Sequence, residues 1–150
     1  MSVDRSFVSQ NDAERARLEK LIGRLTDADL QRPMPAGWTV AGVLAHLAFW
    51  DQRAFLLLER WQKDGVTPPA NQAADTDWIN DAAKPMFLAM PPRRAAELAV
   101  AIAVATDRKV ASLSDDLVQR NAQAGTPVSL VRAAHRREHL DEIERALKAS

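Results

Sequence analysis

The C-terminal part of the chain contains two histidines, His135 and His139, separated by three residues. On an α-helix this spacing places both imidazoles on one face, one turn apart. Two imidazole nitrogens so arranged can bind a single metal ion. The chain has one further histidine, His46, within an apolar run. We predict that the three histidines meet in the core of a helical protein and bind one metal ion.

His46 lies on the apolar face of a helix that the sequence predicts over residues 40–63, with Thr39 as its N-cap. The residues at helical spacing on this face are Val43, His46, Leu47, Trp50, Ala54, Leu57, Leu58 and Trp61. The charged residues predicted on the solvent face are Asp51, Arg53 and Arg60. For His46 taken alone, we would favour a core histidine that is hydrogen-bonded to a neighbour.

The last predicted helix carries the other two histidines. Thr126 and Pro127 are typical of a helix start, and the helical pattern then extends to about Lys148. Its apolar face comprises Val131, His135, His139, Ile143 and Leu147, whereas Arg136, Arg137 and Arg145 are predicted to be exposed. Burying three imidazoles without partners would cost ~1–3 kcal/mol for each unsatisfied group. A shared divalent cation would satisfy all three, and the cores of helical bundles commonly contain such sites.

Two further helices complete the prediction, over about residues 12–25 and 93–113. Residues 65–92, which contain five prolines, are predicted to be an irregular connection with one short helix of their own. The predicted fold class is all-α, a four-helix bundle with this long irregular connection between helices 2 and 3. The length of 150 residues indicates a single domain, residues 1–150.

The short helix of the connection, from Trp78 to Phe87, carries polar residues that are candidates for ligand contact. Trp78 and Asn80 are the candidate substrate-binding residues, with Asp77 beside them. A surface lid that packs through its own apolar side chains is the interpretation that we favour for this helix.

The composition excludes several kinds of chemistry. The chain contains no cysteine, so it forms no disulfide, thiolate nucleophile or cysteine-ligated metal site. Lys and Arg number 20 and so do Asp and Glu, and this balance gives no indication of nucleic acid or of an acidic membrane surface as a partner. No apolar stretch approaches the roughly 20 residues of a membrane-spanning helix. We expect a soluble cytoplasmic protein.

Residues 135–139 also match the pattern H-x-x-E-H of one class of zinc peptidases, in which Glu138 would be the general base. Because glutamate is common in helices, we interpret this match as chance. The related pattern H-E-x-x-H is absent here, since position 136 is arginine. Asp141 and Glu142 are close to His139 in sequence but are predicted to point away from it.

Two parts of the chain together resemble the DinB/YfiT-like proteins. The segments Pro35–Val40 and Val43–Leu47, with the sequences PAGWTV and VLAHL, are similar to the start of helix 2 in that family. His135 and His139 resemble its second and third metal ligands, and His46 then matches the first. The similarity spans nearly the whole chain, although the first helix and residues 65–92 match only in character.

The resemblance implies a four-helix bundle, a divalent metal ion on the three histidines and, in many members, a homodimer. Members of the family are similar to thiol-dependent enzymes, such as mycothiol-dependent maleylpyruvate isomerase and transferases that use bacillithiol or related thiols. Others resemble hydrolases that open a reactive small molecule, and many have no assigned activity. No thiol-binding or substrate-binding residue of the family matches a position in this chain.

The sequence therefore predicts a divalent-metal-dependent enzyme, a thiol-dependent transferase or isomerase or a hydrolase, that acts on a small electrophilic molecule. Imidazole ligands suit zinc, nickel, iron or copper, of which we favour zinc or nickel. A low-molecular-weight thiol would have to be supplied as a cosubstrate. The alternative is a non-enzymatic metal-binding or dimerising helical bundle.

Overall fold

The computed structural model describes residues 3–69 and 73–149, and for residues 73 and 74 it describes the backbone alone. The helices in these ranges are α1 (Ser6–Arg24), α2 (Asp27–Leu30), α3 (Val40–Asp64), α4 (Ala73–Ala89), α5 (Pro92–Ala111), α6 (Asp115–Gln123) and α7 (Arg132–Lys148). Two short strands, β1 (Pro33–Met34) and β2 (Trp38–Thr39), pair antiparallel before α3. The predicted all-α class is confirmed. Within the described ranges, no helix is both long enough and apolar enough to cross a membrane.

A tight turn between β1 and β2 directs the chain into α3. Ala36 and Gly37 both have positive φ angles, of 59° and 78°, which reverse the chain over three residues, Pro35–Gly37. The Thr39 hydroxyl then accepts a hydrogen bond from the backbone N–H of Gly42, so Thr39 is the N-cap predicted from the sequence. The helix that follows lies within one residue of the prediction, and His46 is in its second turn.

Four long helices contact one another: α3 packs on α5 and α7, and α1 packs on the same two helices. One apolar cluster lies among them and includes Leu18, Leu21, Leu44, Leu47, Ala99, Ala103, Leu140 and Ile143. The helix α4 packs against α3, where the Leu88 side chain approaches Gly42 so closely that a Cβ there would lie 2.9 Å from Leu88 Cδ2. The four-helix bundle topology stays a prediction.

The connection between α3 and α5 is more regular than predicted. The short helix expected from Trp78 to Phe87 begins five residues earlier and ends two residues later, as α4. Pro85 lies inside this helix, where it removes one backbone hydrogen bond without ending it. Residues 65–69 have no regular structure, and residues 70–72 of the predicted connection lie outside the described residues.

The predicted start of the last helix at Thr126 is wrong, because α7 begins at Arg132. Thr126 has a φ of +55°, which is incompatible with a right-handed helix, and its N–H donates to the Asn121 carbonyl at 2.8 Å. The Asn121 side chain also bonds both the N–H and the C=O of Val128. These bonds keep the segment in a non-helical conformation. The sequence analysis also missed α6, although Ser114 is an N-cap followed by two aspartates.

Candidate metal centre

The structure brings the three histidines together between α3 and α7. The Nε2 atom of His135 lies 3.1 Å from Nε2 of His46 and 3.1 Å from Nε2 of His139. One nitrogen from each of the three rings lies within 4.8 Å of the other two. Residues 89 positions apart in the sequence thus present their ring nitrogens to one point.

These distances fit shared coordination of one ion. Two imidazole nitrogens that each lie about 2.0–2.1 Å from a zinc ion are separated by about 3.0–3.4 Å. Hydrogen bonds among the rings account for the contacts less well, because Nε2 of a neutral imidazole either donates one hydrogen bond or accepts one. His135 Nε2 therefore cannot bond well to both of its neighbours. The donor set and its spacing fit a divalent metal ion.

The opposite nitrogens of two of these rings are buried and make no hydrogen bond with a described residue. Nδ1 of His46 and Nδ1 of His139 make no hydrogen bond to any described residue. The carboxylate of Glu142 approaches His139 Nδ1, with Oε1 at 3.5 Å. The prediction that Glu142 points away from His139 is therefore wrong, whereas Asp141 does point away and pairs with Arg17 at 2.7 Å. A carboxylate beside the non-coordinating nitrogen is the usual means of orienting a histidine ligand.

Three aromatic side chains contact the ring of His46. The ring centroids of Trp38, Phe87 and Trp50 lie 5.8, 6.2 and 6.5 Å from that of His46. Burial in this environment, with a smaller effect of His139, lowers the pKa of His46 from 6.5 to about 4. Burial, together with the nearby histidines and arginines, lowers the pKa of His135 to about 3. Both imidazoles are therefore neutral at pH 7, as metal ligation requires.

These shifts predict that the metal-free protein loses stability between pH 7 and pH 5. Well above pH 6.5 both imidazoles are neutral in the folded and the unfolded chain, so their contribution to stability is fully present. As the pH falls through 6.5, the unfolded chain binds protons that folded His46 and His135 do not, so stability falls until the pH reaches about 4 for His46 and about 3 for His135. The loss at pH 5 is up to about 2 kcal/mol for each histidine. Urea unfolding of the metal-free protein at both pH values measures it, and His135→Gln should remove about half of the difference.

The three histidines line an open cavity of about 920 Å³. Its walls come from the β1–β2 turn, α3, α4, the segment before α7 and α7 itself. Glu138, the glutamate of the H-x-x-E-H pattern, lines this cavity together with Glu142. Glu138 makes no hydrogen bond or ion pair with a described residue, so its carboxylate is available to a ligand.

The two candidate substrate-binding residues lie in different environments. Asn80 lines the cavity, and its Oδ1 accepts a hydrogen bond of 2.7 Å from Trp50 Nε1. This bond connects α4 to α3 beside the histidines. Trp78 is 59% exposed, and its Nε1 donates to Asp75. Substrate contact by Trp78 and Asn80 stays a prediction. Of the two residues, only Asn80 lines the cavity, so the geometry favours Asn80.

A buried network of charges lies behind His135 and was missed in the sequence analysis. Asp51 is 3% exposed and Arg136 is fully buried, so the prediction that both face solvent is wrong. Arg136 donates to both oxygens of Asp107 at 2.7 Å and to Asp51 at 3.1 Å. Arg132 donates to the other oxygen of Asp51 at 2.8 Å. These ion pairs join α3, α5 and α7 next to the histidine cluster.

The fold and the site together define an all-helical protein with a three-histidine cluster that could hold a metal ion. The family model described as the DinB superfamily matches residues 10–143. The chain belongs to the DinB superfamily, as its resemblance to DinB/YfiT-like proteins predicted. A search of curated proteins and a search of solved structures each found no match.

Proposed function

We propose that this chain is a divalent-metal-dependent enzyme that acts on a small electrophilic molecule, as a thiol-dependent transferase or isomerase or as a hydrolase. His46, His135 and His139 are the proposed ligands, in the core of a four-helix bundle. The observation that carries the proposal is that three imidazoles converge at the wall of an open cavity. Membership of the DinB superfamily supports it.

A site with three protein ligands favours catalysis over a structural role. Structural zinc sites are usually closed by four protein ligands, whereas catalytic sites keep a position for water or substrate. A bound divalent ion would polarise a substrate oxygen or lower the pKa of a water or thiol. Zinc or nickel is the proposed ion, and iron or copper also suits imidazole ligands. Any thiol would come from a cosubstrate, since the sequence has no cysteine.

Residues of the chain itself supply the surroundings that such chemistry needs. Glu142 is placed to accept a hydrogen bond from His139 Nδ1 after a small rotation of either side chain. Glu138 is placed to hold or transfer a proton within the cavity. Trp38, Trp50 and Phe87 exclude water from the side of His46.

The alternative is a metal-binding or dimerising protein without catalytic activity. The specific observation in its favour is the exposure of large apolar side chains on α4, where Trp78 and Met86 face solvent. Such residues are typical of an interface, here with a second copy of the chain. An inert protein would bind metal and dimerise without turning over any electrophile.

Elemental analysis of the wild-type protein, expressed with an adequate metal supply, tests the proposal first. We expect about one divalent ion per chain, and fewer than ~0.1 per chain would contradict the site. The metal-loaded protein is then assayed with a panel of low-molecular-weight thiols and small electrophiles. Metal-dependent turnover of at least one combination supports the enzyme. If the protein is fully loaded with metal but catalyses neither thiol transfer to an electrophile nor its hydrolysis, the result supports the alternative without catalytic activity.

A further inference from the structure

Among the described residues that line the cavity, one is a buried arginine. Arg132, the first residue of α7, is 9% exposed and lines the cavity together with His135. Its Nε donates to Oδ1 of Asp51 at 2.8 Å, and Asp51 is itself buried. The only other hydrogen bond that Arg132 makes to a described residue is a long one, 3.4 Å, from Nη1 to the Ser129 carbonyl. Asp51 thus fixes the guanidinium on one side, and Nη2 has no partner among the described residues.

Arg132 shares the Asp51 carboxylate with a second arginine. The same carboxylate accepts a hydrogen bond from Arg136 through its second oxygen. Arg53 lies near as well, since burial and the charge of Arg132 lower the pKa of Arg53. Its guanidinium lies 5.5 Å from the ring centroid of Trp50, another cavity residue. Arg132 therefore keeps Nη2 free of any described partner, as a hydrogen-bond donor, and Arg53 adds a second positive charge near it.

The acidic residues of the cavity are less buried than Arg132. Asp77 and Asp81 of α4 and Glu138 of α7 are exposed, and Glu142 is half-buried. A small anion would therefore be attracted to the buried arginine and repelled by the exposed carboxylates. This distribution of charge orients a ligand with its negative end inward.

We propose that the cavity binds a small molecule with a single carboxylate, which pairs with the guanidinium of Arg132. A planar guanidinium with free N–H groups matches a carboxylate in shape and charge. Arg132 and His135 are three residues apart on α7, so their Cβ atoms are about 5–6 Å apart. A small substrate therefore spans from the arginine to the histidines. This last step, that the reacting part of the molecule lies over the histidines, rests on the proposed function.

Benzoate and its neutral analogue benzamide are suitable probes, because they differ mainly in charge. The protein is stripped of metal with a chelator, which is then removed by dialysis. Binding is measured by calorimetry and by the fluorescence of Trp38 and Trp50, which line the cavity. We expect Arg132→Gln to weaken benzoate binding at least about tenfold and to leave benzamide unchanged. Benzoate binding that is equally strong in the wild type and in Arg132→Gln would overturn the proposal.

A matched control lies on the same helix. Arg145 is exposed and does not line this cavity, so Arg145→Gln removes an identical charge without removing the contact. We expect Arg145→Gln to change the affinity for benzoate less than twofold. An equal loss of affinity in both variants would mean that only net charge matters, and it would contradict the proposed contact with Arg132. Terephthalate, with a second carboxylate opposite the first, is expected to bind more weakly than benzoate. Tighter binding of terephthalate would contradict the inferred orientation.

Thermal melting shows whether the Arg132 variants fold. If Arg132→Gln does not fold, the wild-type protein is tested instead, by recording its arginine Nε–H signals in ¹H–¹⁵N spectra with and without benzoate. A buried Nε–H signal that moves with benzoate, and not with benzamide, supports the proposal, and unchanged signals contradict it. The test uses metal-free protein, so its result is independent of metal binding. The two proposals can therefore fail separately. If Arg132→Gln loses benzoate binding but the wild-type protein takes up no metal, the carboxylate site is supported and the proposed metal-dependent enzyme is refuted.

Discussion

Replacing His46 or His139 by alanine is expected to reduce bound metal from about one ion per chain to below ~0.1. Either substitution leaves two imidazoles, and these hold a divalent ion far less tightly than three. The loss of His46 removes the only ligand from α3, so the remaining pair would lie on α7 alone. Elemental analysis after dialysis measures the loss. Wild-type metal content in a folded His46→Ala protein would refute the site.

Glu138→Gln is the matched control for this prediction. Glu138 lies on α7 between the two histidines and lines the same cavity, but it is not a proposed ligand. We expect this variant to keep its metal. Because alanine at position 46 leaves a gap beside Trp38 and Phe87, His46→Gln provides a second test with a side chain of similar size. Thermal melting of each variant with and without added zinc separates lost binding from lost folding, since only a protein that binds the ion is stabilised by it.

The positions of the histidines could be predicted because they follow from helical periodicity. Thr39 is a strong N-cap signal, and it fixed the register of α3 well enough to place His46 on the buried face. The spacing of His135 and His139 places them on one face wherever their helix begins, so the wrong start of α7 did not affect them. The meeting of these two helices was inferred from the need to satisfy three buried imidazoles.

The buried ion pairs could not be predicted from periodicity. Asp51 and Arg136 are charged residues next to apolar stripes, and a helical pattern assigns such residues to the solvent face. Their partners lie on other helices, 85 residues apart for Asp51 and Arg136 and 29 for Arg136 and Asp107. A contact between side chains so distant in sequence depends on how the helices pack. The same reason explains why Arg132 and Glu142 were not recognised as parts of the site.

The predicted start of the last helix was wrong because asparagine side chains bond the backbone of the loop that precedes it. Thr126 and Pro127 carry a typical helix-start signal, but Asn121 holds the following residues in a loop. Asn11 of α1 holds the end of that loop, since its side chain bonds the carbonyl of Leu130 and the N–H of Ala133. A residue from the first helix thus bonds the backbone on both sides of Arg132, where the last helix begins.

Asp107→Ala is expected to be the most destabilising of these substitutions, by about 3–5 kcal/mol. The Asp107 carboxylate accepts two hydrogen bonds of 2.7 Å from Arg136 and a third, also of 2.7 Å, from Arg15. Its removal leaves the fully buried Arg136 with Asp51, which it shares with Arg132, as its one remaining carboxylate partner. A loss of this size approaches the total stability of many domains and could leave Asp107→Ala unfolded. Asp107→Asn, which keeps a hydrogen-bond acceptor, is therefore measured as a second variant. Urea unfolding gives the difference.

The surface pair of Arg17 and Asp141 provides the control, because its N–O distance is also 2.7 Å. The side chain of Asp141 is 49% exposed and accepts one hydrogen bond from Arg17, whereas that of Asp107 is 3% exposed and accepts three. We expect Asp141→Ala to cost less than about 1 kcal/mol. Equal costs for both aspartates would contradict the account. The double variant Asp107→Leu with Arg136→Met should be more stable than Asp107→Ala, because no charge is then left buried without its partner.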